Sequence, residues 1–366
     1  MVGSHRKRVL FIASHRPGRA PNQRFRFEQY LDDLREAGFE PELSYLIDER
    51  TDRLLYAPGK LWSKMRFVID SYKKRKKDLE QLHRYDIVFV ARESLMIGTT
   101  FFEKTVARSP DTRLILDIDD AVWLPNVSGY NASFGWVKRP RKLYKSFRYA
   151  DLVITGNPYL AEHAERFNPH VRIIPTTIDT SYHKKLALEQ DDKVCIGWTG
   201  SPTTIPHFEL ALPVLRKIKE KYGEQVRFKV IGDADYRNEE LEIQGIAWEK
   251  QREIEDLSDI DIGIMPLPDT EWAKGKCGLK ALQYMALEIP PVVSPIGVNR
   301  EIVKDGVNGF LAWEADTWFR SLERLIENPS LRQELGRVAR ETVRSHYSVE
   351  ANRERYIKAL NASLRG

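Results

Sequence analysis

The sequence has no apolar run long enough to span a lipid bilayer, and only two of its 366 residues are cysteines. The lack of a long apolar run argues against a transmembrane helix. Cys195 and Cys277 provide neither a disulfide framework nor the ligand spacing of a zinc site. A reducing cytoplasm is the simplest setting for such a chain. The apolar residues 9–13 follow three basic residues but are too short for a signal peptide, so we predict a first strand there.

The sequence also lacks the G-x-G-x-x-G loop of dinucleotide-binding folds. Strand patterns nevertheless alternate with helical patterns in both halves of the chain, which predicts an α/β protein with two parallel sheets. With 366 residues the chain is too long for one ordinary core and suits two domains. Residues 180–192 are polar and charged, which is typical of a linker between domains.

The formal net charge is +5, and part of the excess lies in five consecutive basic residues, 73–77. Such a run most often covers the solvated face of a helix. The alternative is contact with an anionic membrane surface through the basic stretch 61–77, because large apolar residues lie just upstream of the lysines. Nucleic-acid binding is not expected, since the sequence has no zinc spacing, RNA-recognition signature or basic zipper.

The stretch from Trp272 to Leu311 has the most informative order of elements. A Gly/Lys loop over 274–280 runs directly into an apolar helical pattern, and a short buried-strand pattern follows at 292–294. A glycine-containing loop that opens a helix gathers backbone N–H groups and the positive end of the helix dipole at one point. That point binds anions such as a diphosphate. The alternative is an ordinary strand-to-helix turn with exposed lysines.

Within this stretch the backbone N–H groups and the lysines would contact the anion. The candidate residues are Lys276, Gly278, Leu279 and Lys280. Gln283 lies one turn further along, where its amide can reach sugar hydroxyls. A second candidate is the turn at Gly200 and Ser201, which ends the first strand pattern of the second half. Ligands bind at that edge of a parallel sheet, although the turn can equally be only a tight connection.

Two further groups follow strand patterns in the first half. Arg24 and Arg26 lie in a loop after the first strand and could clamp a phosphate, or they are simply surface arginines. Asp117, Asp119 and Asp120 come at the end of the strand pattern 113–117. Carboxylates there can hold a divalent metal, polarise a hydroxyl group or cap a short helix.

From 274 to 311 the sequence resembles the donor-binding signature of the retaining glycosyltransferases of family 4, which have the GT-B fold. The matching segments are Gln283–Ala286, Pro291–Ser294 and Asp305–Leu311. The two glutamates of the signature, eight positions apart, fall on Gly275 and Gln283 instead. The chain is similar to a branch of the family with a Gly-Lys-Cys-Gly loop and Gln-Tyr-Met-Ala in their place.

This resemblance implies a GT-B architecture, with two Rossmann-like domains whose parallel sheets face each other across a cleft. We expect an acceptor-side domain over 1–180, a linker over 181–192 and a donor domain over 193–345. The last helix, 346–366, is expected to cross back onto the first domain.

The resemblance also implies roles for the candidate residues. The expected donor-binding residues are Gly200, Ser201, Lys276, Gly278, Leu279, Lys280 and Gln283, with Gln283 on the ribose. Asp119 and Asp120 take the places of residues near the reacting sugar and are the expected catalytic residues. Arg24 and Arg26 would serve as a phosphate or acceptor loop. No metal and no cofactor are expected, because GT-B enzymes generally do not depend on a metal.

The activity implied is that of a metal-independent, hexosyltransferase-type glycosyltransferase. It would move a sugar from a nucleotide-diphosphate sugar to a glycan, lipid-linked or small-molecule acceptor in bacterial cell-surface polysaccharide synthesis. The expected location is the cytoplasm, including the inner face of the cell membrane. Two alternatives stay open: a nucleotide-sugar epimerase of the same fold, and a non-catalytic nucleotide-sugar-binding partner.

Overall fold

In the computed structural model the described residues are 6–55, 61–124, 140–188 and 192–364. The chain divides into two compact units. The first comprises Met1–Pro175 and Arg353–Gly366, and the second comprises Thr176–Asn352. The segment predicted as a linker, 181–192, is therefore part of the second unit, and its residues 189–191 lie outside the described part of the chain.

The first unit is built on a six-stranded sheet in which every neighbouring pair is parallel. The strand order is β2-β1-β3-β4-β5-β6. The strands are β1 (Lys7–His15), β2 (Phe39–Ile47), β3 (Ile87–Ala91), β4 (Arg113–Ile118), β5 (Leu152–Thr155) and β6 (Val171–Ile173). The predicted first strand is confirmed: its apolar residues 9–13 are at most 2% exposed, as expected for a parallel strand covered on both faces.

The helices of the first unit connect these strands. They are α1 (Pro21–Arg24), α2 (Leu31–Glu36), α3 (Glu49–Leu55), α4 (Leu61–Glu80), α5 (Phe101–Val106), α6 (Leu143–Tyr149) and α7 (Pro158–Glu165). Local sequence explains several boundaries. Gly38 follows α2 with a φ of +87°, a conformation that glycine adopts without strain. The side chain of Asn157 accepts a hydrogen bond from the Leu160 N–H at 2.8 Å and caps α7.

The second unit contains a five-stranded parallel sheet in the order β13-β12-β11-β7-β8, and a two-stranded antiparallel ribbon. The strands are β7 (Val194–Thr199), β8 (Val226–Ile231), β9 (Arg237–Asn238), β10 (Ile243–Gln244), β11 (Ile262–Met265), β12 (Pro291–Val293) and β13 (Phe310–Leu311). The helices are α8 (Ile205–Glu209), α9 (Leu212–Tyr222), α10 (Glu253–Ser258), α11 (Glu271–Lys274), α12 (Leu279–Ala286), α13 (Asn299–Ile302), α14 (Ala315–Glu327) and α15 (Pro329–Thr342).

The last helix, α16 (Val349–Ser363), enters the first unit from Arg353 onward. Tyr356 is fully buried, and its ring stacks on that of Tyr30 with centroids 4.4 Å apart. Near the end of the helix, Asn361 accepts a hydrogen bond from the Lys7 ammonium group. These contacts confirm that the C-terminal helix returns to the first domain.

Candidate functional site

The Gly/Lys loop lies at the carboxyl edge of the second sheet, where it leads from β11 into α12. Gly278 is the N-cap of α12 and adopts a left-handed conformation, with φ +70° and ψ 14°. The first backbone hydrogen bond of the helix joins the Leu282 N–H to the Gly278 carbonyl at 3.1 Å. The N–H groups of Leu279 and Lys280 precede that bond, so they are directed outward, where an anion can accept from them.

Two lysines flank this helix start, and each lies over an indole ring. The Lys276 ammonium group is 4.9 Å from the centroid of the Trp272 ring, and that of Lys280 is 5.4 Å from the Trp198 ring. Both distances are within the range of cation–π attraction. The rings therefore restrict the lysines to positions beside the N-terminus of α12, and less side-chain entropy is lost when an anion binds.

His207 was not predicted from the sequence, but it also belongs to this part of the structure. Burial is the main reason why the pKa of His207 falls from 6.5 to about 4, and the positive charges of Lys276 and Lys280 lower it further. Since α8 begins six residues after Thr199, the last residue of β7, it places His207 at the carboxyl edge of the second sheet, which also carries the two lysines. At neutral pH the ring is uncharged, and it can donate one hydrogen bond to an anion without adding to the repulsion between the lysines.

The turn after β7 is tightly built. The Tyr284 hydroxyl of α12 accepts a hydrogen bond from the Thr199 N–H at 3.0 Å, which joins the turn to the helix. A Cβ at Gly200 would lie 2.2 Å from the Trp198 ring, and one at Gly232 would lie 1.9 Å from the Gly200 carbonyl oxygen. Only glycine fits at these two positions. Gly200 therefore lies at the same edge as Lys280, through the shared contact with Trp198.

Ser201 is exposed and has a local structural role. It forms a capping box with Thr204, whose hydroxyl accepts a hydrogen bond from the Ser201 N–H at 3.0 Å. This is the tight-turn interpretation that the sequence left open. The donor-binding role of Ser201 stays a prediction.

Gln283 is almost buried, with 6% of its surface exposed. Its amide donates a hydrogen bond to a carboxylate oxygen of Glu253 at 3.3 Å, and the Trp248 indole donates to the same oxygen at 3.1 Å. Glu253 comes from α10 and is 3% exposed. The fold thus places a carboxylate beside Gln283, the position where the family signature has a glutamate. The sequence alone does not identify Glu253 as a site residue, because three of the six residues of α10 are acidic.

The first unit carries the other candidates at the carboxyl edge of its own sheet. Asp119 follows β4, and its two carboxylate oxygens accept hydrogen bonds from Arg92, one of them at 2.9 Å. Arg92 also lies 3.8 Å from a carboxylate oxygen of Asp120. Burial alone would raise the pKa of Asp119, but the charge and hydrogen bonds of Arg92, with a contribution from Arg26, lower it instead. Asp119 is therefore an ionised hydrogen-bond acceptor at neutral pH.

Arg92 was not predicted from the sequence as a site residue either. It follows β3 with a φ of +66°, in the left-handed region that side chains other than glycine rarely occupy. Its N–H donates a hydrogen bond to the Asp117 carbonyl at 2.8 Å. Strained residues of this kind concentrate at functional sites. The guanidinium group of this residue is the one that holds Asp119.

The structure contradicts the expected phosphate clamp for Arg26, while the phosphate or acceptor role of Arg24 stays a prediction. Arg26 is 2% exposed, and its guanidinium group donates to both carboxylate oxygens of Asp117, at 2.6 and 3.1 Å, and to the Ile174 carbonyl at 2.7 Å. This buried ion pair joins the loop after β1 to β4 and to the residue that follows β6. Arg24 is 8% exposed, and its guanidinium group lies 4.8 Å from the centroid of the Phe25 ring. The guanidinium group of Arg26 is thus engaged in holding the unit together.

Arg16 and Arg19 of the same loop are half-buried. Both donate to one carboxylate oxygen of Asp52, each at 2.7 Å. Their side chains retain 32% and 39% exposure. The sequence shows that both residues belong to the loop, but it does not show that Arg26 is buried while these two remain partly exposed.

Among the described residues, no cluster of three or more His, Cys, Asp or Glu side chains is arranged to hold a metal ion. None of the helices in the described ranges combines the length and apolar character needed to cross a membrane.

Comparison with known proteins gives one family match and several related structures. Residues 193–328 match the family model described as glycosyl transferases group 1. The comparison with curated proteins gives no match.

Among solved structures, sucrose-phosphate synthase from Thermosynechococcus elongatus is similar with a TM-score of 0.69 at 13% identity, covering 98% of this chain and 99% of that chain. A glycosyltransferase from Rickettsia africae gives 0.68 at 12% identity, with 99% coverage of both chains. Anabaena HepE, in complex with UDP and glucose, gives 0.64 at 14% identity, covering 98% and 100%.

These structural similarities confirm the predicted GT-B fold over nearly the whole length of the chain. At such low identity they establish the fold alone. The family match covers most of the second unit, where the Gly/Lys loop lies. The match to group 1 glycosyl transferases thus applies to residues 193–328, and the similarity over the rest of the chain is one of fold.

Proposed function

We propose that the protein is a retaining glycosyltransferase that transfers a sugar from a nucleotide-diphosphate sugar to an acceptor hydroxyl group. The observation that carries this proposal is the start of α12, where Gly278, Lys276 and Lys280 come together at the carboxyl edge of the second sheet, the edge from which the helix of His207 also starts. The match of residues 193–328 to group 1 glycosyl transferases supports the reaction class. The UDP and UDP-glucose complexes of HepE support the donor class.

The physical basis is the charge that develops when the sugar departs. The leaving diphosphate gains negative charge in the transition state, and donors already in place lower the barrier because they need no reorganisation. Lys276, Lys280 and the outward N–H groups of α12 provide such donors. Because two fixed ammonium groups supply the positive charge, we propose that transfer does not require a metal ion.

The acceptor side of the proposal rests on the first unit. The Asp119 carboxylate would accept a hydrogen bond from the acceptor hydroxyl and orient it, while Arg92 keeps Asp119 ionised and in position. Asp120 would assist as a second acceptor. For the retaining outcome we assign no protein nucleophile. On the donor side, Gln283 and Glu253 would hold the ribose.

The acceptor, by the same proposal, is a glycan, a lipid-linked sugar or a small molecule, and the sugar transferred is a hexose. A role in bacterial cell-surface polysaccharide synthesis, at the cytoplasmic side of the membrane, is supported by the resemblance of the segment 274–311 to its family signature.

A thermal-shift screen against a panel of sugar nucleotides tests the proposal, since a ligand that binds only the folded state raises the melting temperature. The best donor is then incubated with and without candidate acceptors. Transfer, or slow donor hydrolysis abolished by Lys280→Ala, supports the proposal. Release of an epimerised sugar nucleotide without acceptor would identify an epimerase instead. Binding with no turnover under any condition would identify a non-catalytic binding partner.

A further inference from the structure

The outward face of α4 carries an apolar stripe. Trp62, Met65 and Ile69 are 82%, 50% and 53% exposed, and Trp62 is the most exposed large apolar side chain among the described residues. Spacings of three and four residues place these side chains on one helical face. Leaving such a stripe in water forgoes the free energy of burying it, so it indicates a surface that binds something.

The same face becomes basic further along the helix. Lys73, Lys76 and Lys77 are exposed and continue the stripe at helical spacing. The five-residue basic run 73–77 is not uniform, however, because Arg75 is fully buried. Its guanidinium group donates to the Ser94 carbonyl at 2.8 Å, the Ala13 carbonyl at 2.9 Å and the Asp78 carboxylate at 2.8 Å.

These contacts of Arg75 also fix where the stripe lies. Ala13 is near the carboxyl end of β1, and Ser94 follows the carboxyl end of β3. Because α4 runs from that edge toward the amino edge, its first turns extend beyond the carboxyl edge. Trp62 precedes Arg75 by thirteen residues, which corresponds to about 20 Å of helix. The apolar stripe therefore projects from the edge that also carries Asp119.

We infer that the outward face of α4 docks on an anionic phospholipid bilayer. Trp62, Met65 and Ile69 enter the boundary between headgroups and acyl chains, where tryptophan is favoured. The exposed lysines contact anionic headgroups. The charge pattern selects this occupant, because an apolar stripe continued by three lysines matches the two layers of such a surface. A protein partner or a second copy of this chain would need a complementary acidic face.

One consequence rests on the proposed function. If Asp119 contacts the acceptor, docking through α4 brings the acceptor-side edge of the first unit toward the bilayer. A lipid-linked acceptor then becomes the favoured class. Docking itself does not depend on this consequence, and it can be measured without any substrate.

The experiment is co-sedimentation of the whole protein with vesicles. One preparation contains equal parts of phosphatidylglycerol and phosphatidylcholine, and the other contains phosphatidylcholine alone. The protein should sediment with the anionic vesicles, and added salt should weaken binding. Replacing Trp62 and Ile69 with serine should reduce the partition coefficient at least tenfold. Replacing Lys73, Lys76 and Lys77 with glutamine should reduce it roughly a hundredfold, at about a factor of five per lysine.

Matched controls come from the second unit. Trp313 is 48% exposed and lies outside α4, so Trp313→Ser should leave vesicle binding unchanged. Replacing the exposed Lys184, Lys185 and Lys217 with glutamine removes the same charge elsewhere and should have a much smaller effect. An unchanged melting temperature of each variant verifies that it is folded, as expected for substitutions at exposed positions.

Two results would overturn the inference. One is no sedimentation with anionic vesicles, or sedimentation equally reduced by the control substitutions. The other is self-association of the protein that is lost in the Trp62/Ile69 variant, which would assign the face to a second copy. If vesicle binding follows the α4 variants while no sugar nucleotide binds, the proposed function fails and the docking surface stands.

Discussion

The two lysines at the start of α12 allow a quantitative test of the donor site. Replacing both Lys276 and Lys280 with glutamine removes the ammonium groups, and the remaining stems can still pack on Trp272 and Trp198. A hydrogen bond between a charged donor and a phosphate contributes about 1.5–3 kcal/mol. Since about 1.4 kcal/mol corresponds to a tenfold change in Kd, each lysine should account for roughly tenfold to a hundredfold.

The combined loss should be smaller than the product of the single losses. Both ammonium groups lie beside the start of α12 and carry the same charge, so a bound diphosphate relieves their repulsion. Each single substitution already removes that relief, and the two single losses therefore overlap. Isothermal titration calorimetry with UDP, GDP and inorganic pyrophosphate measures these changes. Pyrophosphate separates the phosphate contacts from those of the nucleoside, because it has no base or ribose.

Lys274 is the matched control. It belongs to the same segment, but its ammonium group is 2.8 Å from Glu271 and 3.6 Å from Asp269. Lys274→Gln should therefore change the Kd less than twofold. If Lys274→Gln and the double variant weaken binding equally, the effect is one of overall charge. The assignment of the diphosphate to the start of α12 would then be refuted.

The remaining predictions concern single positions. Gly278→Ala and Gly306→Ala both place alanine at a φ near +70°, which costs about 1–2 kcal/mol of stability. Gly278→Ala should cost more than Gly306→Ala, because its Cβ would also lie 2.2 Å from the Ile302 side chain, whereas a Cβ at Gly306 meets no other atom within 4 Å. Only Gly278→Ala should weaken nucleoside-diphosphate binding, as paired thermal-shift and calorimetric measurements would show. Asp119→Asn should reduce kcat for transfer at least tenfold while leaving donor affinity nearly unchanged; a fall in donor affinity instead would remove Asp119 from the acceptor side. His207 has its pKa lowered from 6.5 to about 4, so the unfolded chain binds more protons between these values, and the free energy of unfolding should fall as the pH drops from about 6.5 to about 4. His207→Gln should reduce that dependence in urea titrations, and an identical pH profile would contradict the burial of the imidazole. Arg75→Met should destabilise the protein by several kcal/mol, because it leaves the buried polar groups around the guanidinium unpaired, whereas Lys76→Met should change the melting temperature little.

Much of the fold followed from patterns that are local in the chain. The strand at 9–13 was predicted correctly from a buried run of neighbouring residues. The glycine after α2 and the Asn157-Pro158 start of α7 likewise depend on neighbouring residues only. The same is true of the loop 274–280, because a glycine followed by an apolar helical pattern fixes both the turn and the helix that starts there.

What the sequence determined by itself was therefore the order of elements, the two parallel sheets and the helix start that collects Lys276 and Lys280. Tertiary structure alone decided which charged side chains of the same type are buried and which remain accessible to solvent. Arg26 is buried against Asp117, ninety-one positions away in the sequence, while Arg16 remains partly exposed. Arg75 is buried among lysines that are exposed, and Glu253 reaches Gln283 from another helix. The physical reason is that the partner of a charge, and hence its burial, depends on which distant strands and helices the fold brings beside it.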